Sequence, residues 1–304
     1  MIYIAGHKSP DTDSICAAIA YAELKSKQGI DAVPCRLGEI NSETSFVLKR
    51  WKTDIPQLLD DATGKQIIIV DHSEIKQGPN NMNKAEILEV VDHHRIGDLQ
   101  TSQPILFISK PVGCTCTVIY DLFKEQGVEP SREVKGLILS AILSDTWSFK
   151  SSTFTKHDKN IATALADQLD INNIEEYGME LFKSKIDFHE KTAEQIMKND
   201  VKQYDFSKGN VYINVYELIA GADELLKRKD EILEEMKKMS KEYNTVVFAI
   251  LDILKDETSI LAISKFEQEI EKAYKTTFKN NQIKLKGLIS RKRRIVPVLE
   301  KIMN

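Results

Sequence analysis

The chain is poor in the residues that mark small secreted folds. Four cysteines in 304 residues are too few for a disulfide scaffold, so a reduced, cytoplasmic chain is expected. No apolar run approaches the roughly 18 residues of a membrane span. The opening MIYIAGHKSPDTDS has no basic segment and no small-residue cleavage site, so no signal peptide is expected. Excess positive charge is missing too. Forty-two Lys and Arg against 46 Asp and Glu leave a net charge of −4 and a pI near 6.0. That argues against general affinity for nucleic acid or membranes. Internal repeats and low-complexity stretches are absent, and no two of the 13 glycines are adjacent.

What remains is a globular balance, 42% hydrophobic and 29% charged, which can build a core and excludes wholesale disorder. At roughly 150 residues per domain the length predicts about two domains. Short apolar runs at Ile2–Ala5, Ile67–Val70, Ile87–Val91 and Ile105–Ile108 alternate with helical patterns. Ala32–Cys35 reads as an edge strand because of Pro34. Helices are expected over Cys114–Gln126, Arg132–Ser144 and Asp158–Leu169. The pattern predicts an α/β fold with a parallel sheet buried on both faces. The text changes after Ser184. Residues 187–196 are expected as a linker between a domain over 1–186 and a smaller α/β domain over 197–304. In the latter, strands are expected at Val211–Val215, Thr245–Leu251 and Ser259–Ile263, with one long helix over Asp223–Lys241.

The chemistry gathers where strands end. Ile2–Ala5 runs into Gly6-His7-Lys8-Ser9-Pro10-Asp11-Thr12-Asp13-Ser14. Ile67–Val70 runs into Asp71-His72-Ser73, and Ile87–Val91 into Asp92-His93-His94-Arg95. In a parallel sheet these ends share one edge, where open α/β sheets bind ligands. Asp145 ends the helix through Leu139, facing the negative end of its dipole. Each piece alone has a plain reading. Asp11 and Asp13 could cap a helix, His93 and His94 could be a solvated loop, and Asp145 a turn residue. Their convergence is what argues for a metal, because so many ionisable groups repel or desolvate one another unless a cation neutralises them. Oxygen and imidazole donors without thiolate point to Mn²⁺, Mg²⁺, Co²⁺ or Fe²⁺. The number of carboxylates suggests two ions, arranged for attack on phosphorus. The stretch Lys286–Arg294 holds five basic residues in nine. It reads either as a solvated face or as an anion clamp. Cys114 and Cys116 read as two small residues at a helix start.

Together these motifs resemble the family II inorganic pyrophosphatases, manganese-dependent members of the DHH phosphoesterase superfamily. The resemblance is carried by GHKSPDTDS at 6–14, DHS at 71–73, VDHHR at 91–95, PVGCT at 111–115, SDT at 144–146 and SRK at 290–292. It implies a DHH catalytic domain followed by a DHHA2-type domain with a mixed sheet. The implied activity is hydrolysis of pyrophosphate to two phosphates in a site between the domains, with a metal-bridged hydroxide as nucleophile. By the resemblance, His7 and Asp11 hold one ion, Asp13, His93 and Asp145 the other, and Asp71 bridges both. The cofactor is then two Mn²⁺, with Co²⁺ or Mg²⁺ as substitutes and additional Mg²⁺ arriving with the substrate. His94, Arg291 and Lys292 bind pyrophosphate, and His94, Asp71 and Lys292 take part in catalysis. Asp92 and His72 orient the ligands. The implied assembly is a homodimer through the N-terminal domains, with no nucleic-acid or membrane partner.

Two departures stand out. Ser73 replaces the family's asparagine after Asp-His. The lysine that the family places early in the second domain is matched by Asn210, with Lys208 two residues away, so the source of the third cation is open. The alternatives are an exopolyphosphatase or short-oligonucleotide phosphodiesterase of the same superfamily, or a catalytically weak metal-binding relative. The phosphodiesterases carry a Gly-Gly-Gly-His motif that this chain lacks.

Overall fold

A computed structural model describes residues 1–304, the side chain of Arg293 excepted. The chain forms two compact units, Met1–Lys185 and Ile186–Asn304.

The first unit is built on a six-stranded sheet in which every pairing is parallel. Its strands are β1 (Ile2–Ala5), β2 (Ala32–Arg36), β3 (Gln57–Leu58), β4 (Gln66–Val70), β5 (Glu86–Asp92) and β6 (Leu106–Ser109). They lie in the order β3-β2-β1-β4-β5-β6. Side chains alternate across a strand, and the two faces feed separate cores. Ile68 and Val70 of β4 pack with Ile4 and Val91 on one face. Ile67 and Ile69 pack with Ala5 and Val90 on the other. All four β4 side chains are fully buried, each contributing roughly 1.5–3 kcal/mol of hydrophobic stabilisation.

Helices α1 (Thr12–Lys27), α2 (Ser42–Arg50), α3 (Thr115–Glu125), α4 (Arg132–Asp145), α5 (Lys156–Gln168) and α6 (Ile174–Ser184) complete this unit. Two expectations need correction. Strand β2 is interior, not an edge, because the two-residue β3 pairs with Cys35 and Arg36 only, beyond Pro34. At the other side β6 is a true edge rather than a buried strand, and it exposes Leu106 and Phe107.

The second unit begins with α7 (Ala193–Met197). It carries a five-stranded mixed sheet in the order β11-β10-β9-β8-β7. The strands are β7 (Val201–Phe206), β8 (Gly209–Leu218), β9 (Thr245–Asp252), β10 (Glu257–Ser264) and β11 (Gln282–Lys286). Only β8 and β9 pair in parallel. Phe248 and Ile250 of β9 enter one core and Val247, Ala249 and Leu251 the other. Residues 187–196, expected as a linker, pack into this unit, with Phe188 and Ile196 fully buried. The expected long helix is two, α8 (Ala222–Lys227) and α9 (Lys229–Met239). They break at Arg228, whose guanidinium is drawn to the carbonyls of Phe188 and Lys191. Helices α10 (Glu267–Tyr274) and α11 (Val296–Met303) follow, with a π-helical turn at Arg291–Ile295 leading into the latter.

Candidate metal centre

The carboxyl ends of β1, β4 and β5 deliver the expected residues to one place. His7 follows β1, Asp71 follows β4, and His93 and His94 follow β5. Asp11 caps α1, its Oδ1 accepting from Ser14 N at 2.9 Å. Asp145 is the last residue of α4. Two close approaches set the loops. A Cβ on Gly6 would lie 1.9 Å from Ser14 Oγ, and one on Gly113 would lie 2.7 Å from the Thr146 methyl.

His7, Asp11 and Asp71 offer three donors in one cluster, and Asp13, His93 and Asp145 offer three in a second. His94 joins Asp71 and His93 in a third. The pairs stand apart at similar spacings. His7 Nε2 is 3.6 Å from Asp11 Oδ2 and 3.4 Å from Asp71 Oδ2. His93 Nε2 is 3.6 Å from Asp71 Oδ1 and 3.5 Å from Asp145 Oδ2. Charge-assisted hydrogen bonds are shorter, about 2.7–2.9 Å. Donors held about 2.0–2.2 Å from a shared ion sit roughly 3.0–3.5 Å apart.

Both imidazoles are oriented for this. His7 Nδ1 contacts Lys8 O at 2.8 Å and His93 Nδ1 contacts Val112 O at 3.0 Å. A carbonyl can only accept, so each Nδ1 carries the hydrogen and Nε2 is left as the ligand atom, the usual arrangement behind a metal-bound histidine. Asp71 Oδ2 and His93 Nε2 are buried with no hydrogen-bond partner among the described residues. The donor set fits a pair of divalent ions with oxygen and imidazole preference.

The electrostatics agree. Burial first, then the charges of Asp13 and Asp11, push Asp71 well above the carboxylate range. Asp145 is raised by burial and by Asp13, Asp71 and Asp11. For His7, burial opposes the charge, but Asp11 and Asp71 prevail and raise it to about 11. Negative charge is in excess here, and without a cation protons take its place.

Asp13 shows why its carboxylate tolerates full burial. It accepts from Thr115 N at 2.6 Å, Cys116 N at 3.0 Å and Cys114 Sγ at 3.0 Å, so it sits on the N-terminus of α3. Thr115 Oγ1 donates to Asp71 Oδ1 at 2.8 Å. Asp158, which sequence reasoning passed over, holds this loop by accepting from Gly113 N at 2.9 Å and Thr117 Oγ1 at 2.6 Å. Only its place in a capping box, Thr155 to Asp158, marked it in the sequence.

Asp92 Oδ1 takes the backbone N–H groups of His93 and His94 and lies 2.9 Å from His94 Nδ1. That hydrogen bond, against some burial, lifts His94 to about 9. His94 remains half-exposed, with Nε2 facing outward from Asp92. His72 is different. Burial lowers it to about 4, and its Nδ1 contacts Val70 O at 3.1 Å. A cavity of about 180 Å³ beside the cluster is lined by His7, Asp71, His72, His94 and Arg95 among others.

Arg291 and Lys292 lie in the second unit. The Arg291 guanidinium donates to Asp200 O at 2.5 Å and Asp200 Oδ1 at 2.6 Å, while Lys292 is exposed. The two positions matched to the family's lysine are engaged elsewhere. Asn210 and Asn244 exchange side-chain-to-backbone hydrogen bonds, and Lys208 Nζ donates to Ile302 O at 2.9 Å. Of the two lysines flanking Asp200, Lys198 is paired with Glu194, and Lys202 on β7 is exposed.

Comparison with known proteins matches residues 1–142 to the N-terminal domain of the DHH family and residues 179–302 to the DHHA2 domain. A manganese-dependent inorganic pyrophosphatase of Methanothrix thermoacetophila is 42% identical over 304 residues, covering 98% of this chain and 97% of that protein. A Clostridium acetobutylicum protein named "Probable manganese-dependent inorganic pyrophosphatase" is 43% identical over 305 residues, with the same coverage. A solved Methanococcus jannaschii structure assigned to the family II inorganic pyrophosphatases is 39% identical, covers all of both chains and superposes with a TM-score of 0.64. An exopolyphosphatase-related protein of Bacteroides fragilis, at 16% identity and a TM-score of 0.52, shares the fold. The chain belongs to the manganese-dependent, family II inorganic pyrophosphatases, with a DHH domain followed by a DHHA2 domain.

Proposed function

We propose that this chain hydrolyses inorganic pyrophosphate to two phosphates, using two Mn²⁺ ions held by the first unit. The observation that carries the reading is the pair of donor clusters, His7, Asp11, Asp71 and Asp13, His93, Asp145, in a chain 42% identical to a manganese-dependent pyrophosphatase. His7 and Asp11 would hold one ion, Asp13, His93 and Asp145 the other, and Asp71 would be shared. Co²⁺ or Mg²⁺ can substitute, and further Mg²⁺ accompanies the substrate. Bound there, such ions would supply the means to acidify water and to neutralise phosphoryl oxygens.

The chain's own groups do the rest. His94 gives a proton to the leaving phosphate from Nε2, with its Nδ1 held by Asp92. Arg291 and Lys292 take phosphoryl oxygens, the guanidinium already aligned by Asp200. Lys202, next to that anchor along β7, supplies the third cation, since Asn210 carries no charge and Lys208 Nζ donates to Ile302 O. The first unit is thus the catalytic, metal-binding domain and the second the substrate-binding one. Two copies pair through the exposed edge of β6, where Leu106 and Phe107 are uncovered. No helix of the described residues is long and apolar enough to cross a membrane, in keeping with a cytoplasmic hydrolase.

Phosphate release measured with Mn²⁺ on pyrophosphate, tripolyphosphate and a dinucleotide tests the proposal. Pyrophosphate should be the preferred substrate by a wide margin. Faster release from tripolyphosphate would favour an exopolyphosphatase, and turnover of the dinucleotide a phosphodiesterase.

A further inference from the structure

Beneath the metal-ligand residues lies a carboxylate that none of the roles above uses. Glu43, in the first turn of α2, is completely buried. Its Oε2 accepts from Thr12 Oγ1 at 2.7 Å and from Ser144 Oγ at 2.7 Å. The same oxygen lies 2.9 Å from Lys185 Nζ, which also donates to Ser144 Oγ at 3.3 Å. Its other oxygen, Oε1, is buried with no hydrogen-bond partner among the described residues. Both hydroxyl partners adjoin metal-ligand residues. Thr12 stands between Asp11 and Asp13, and Ser144 immediately precedes Asp145.

A buried carboxylate is expensive, and a well-packed apolar residue generally stabilises a fold as well or better. Stability alone is therefore a weak reason for Glu43. Its geometry offers a better one. Asp11 and Asp13 sit at the start of α1, and Asp145 sits at the end of α4. Ligands on two helix ends must keep their spacing to about half an ångström. Two hydroxyls, one from each end, converge on one oxygen and lock the ends together. Three donors on one oxygen call for a charged acceptor.

We propose that Glu43 is a positioning residue for the metal centre: it fixes the ends of α1 and α4 through Thr12 and Ser144 and holds Lys185 as a compensated charge beside them. This rests on the reading of Asp11, Asp13 and Asp145 as metal ligands. Replacing Glu43 by glutamine does two things at once. It weakens the lock, and it leaves the Lys185 ammonium without its partner, a positive charge opposing cation entry. Removing that ammonium as well takes away the second effect, at the cost of its long contact with Ser144 Oγ.

The test is Mn²⁺ affinity of the metal-stripped full-length chain, read from the spin-resonance signal of free Mn²⁺, with cooperative melting as the folding control. Glu43→Gln should bind Mn²⁺ about 10- to 100-fold more weakly, the range for losing a group that orients metal ligands. Adding Lys185→Met to it should recover part of that loss. Ser144→Ala should weaken binding in the same direction, and it carries the test should Glu43→Gln not fold. A purely structural role would lower the melting temperature and leave the folded chain's affinity unchanged. That result overturns the proposal, as does a double variant no better than Glu43→Gln. Wild-type protein that binds no Mn²⁺ would instead overturn the metal reading itself.

Discussion

Asp71 faces both the His7 and the His93 imidazoles. It adopts a left-handed backbone conformation, φ 65°, uncommon for a non-glycine residue and often found at functional sites. Its buried carboxylate faces His7, His93 and His94 at 3.4–3.6 Å. Asp71→Asn keeps the shape and removes the shared charge, so two cations would repel each other across it. The expected outcome is loss of one bound Mn²⁺ and nearly all turnover with the fold intact, checked by metal analysis and circular dichroism. Asp187 offers a contrasting prediction about pH. Burial pushes its carboxyl up, but the Lys191 ammonium and the Tyr216 hydroxyl prevail and hold it below its ordinary value of 3.8. A depressed carboxyl stabilises the fold above its unfolded pKa, and the contribution disappears as pH falls through the folded one. Asp187→Asn should therefore melt earlier than wild type at neutral pH. The gap in melting temperature should close in acid, well below the carboxylate range.

At the scale of elements, the ends of β1, β4 and β5 were legible because buried strands read as apolar runs and each run stops at charged residues. Asp11 combines two readings, since it caps α1 and also faces His7. Glu43 was not legible. It looks like an ordinary acid in the first turn of a helix, and its partners lie 31 and 101 residues away. Likewise Arg228 divides what reads as one amphipathic helix, and its side chain reaches carbonyls about forty residues away, which the sequence does not show. Strand β6 misled for the opposite reason. Leu106 and Phe107 read as core but lie on an open edge, and an uncovered apolar edge is suited to pairing with another strand. Phe107→Lys should convert a dimer to monomers in sedimentation experiments while each monomer still binds Mn²⁺. A dimer that survives the substitution would move the interface away from β6.

Over the whole molecule, each unit is self-sufficient in its core, with both faces of its own sheet covered. The expected metal ligands belong to one unit and the expected anion clamp to the other. The two functions should therefore separate under mutation. Lys292→Ala should leave Mn²⁺ binding unchanged and weaken pyrophosphate binding and turnover together, by about tenfold to a hundredfold for one charge-assisted contact. Asp145→Ala should lose Mn²⁺ affinity first and regain some activity at high Mn²⁺. The reverse pattern in parallel metal and substrate titrations would exchange the roles of the two units.

Two manganese ions in the first unit are proposed to make this chain a pyrophosphatase. Stepwise addition of Mn²⁺ to metal-free protein, with phosphate release from pyrophosphate followed at each step, separates one-ion from two-ion activity. Activity should lag through the first ion and level off at two bound Mn²⁺ per chain. Full activity at one ion per chain, or phosphate release before any is added, would contradict it.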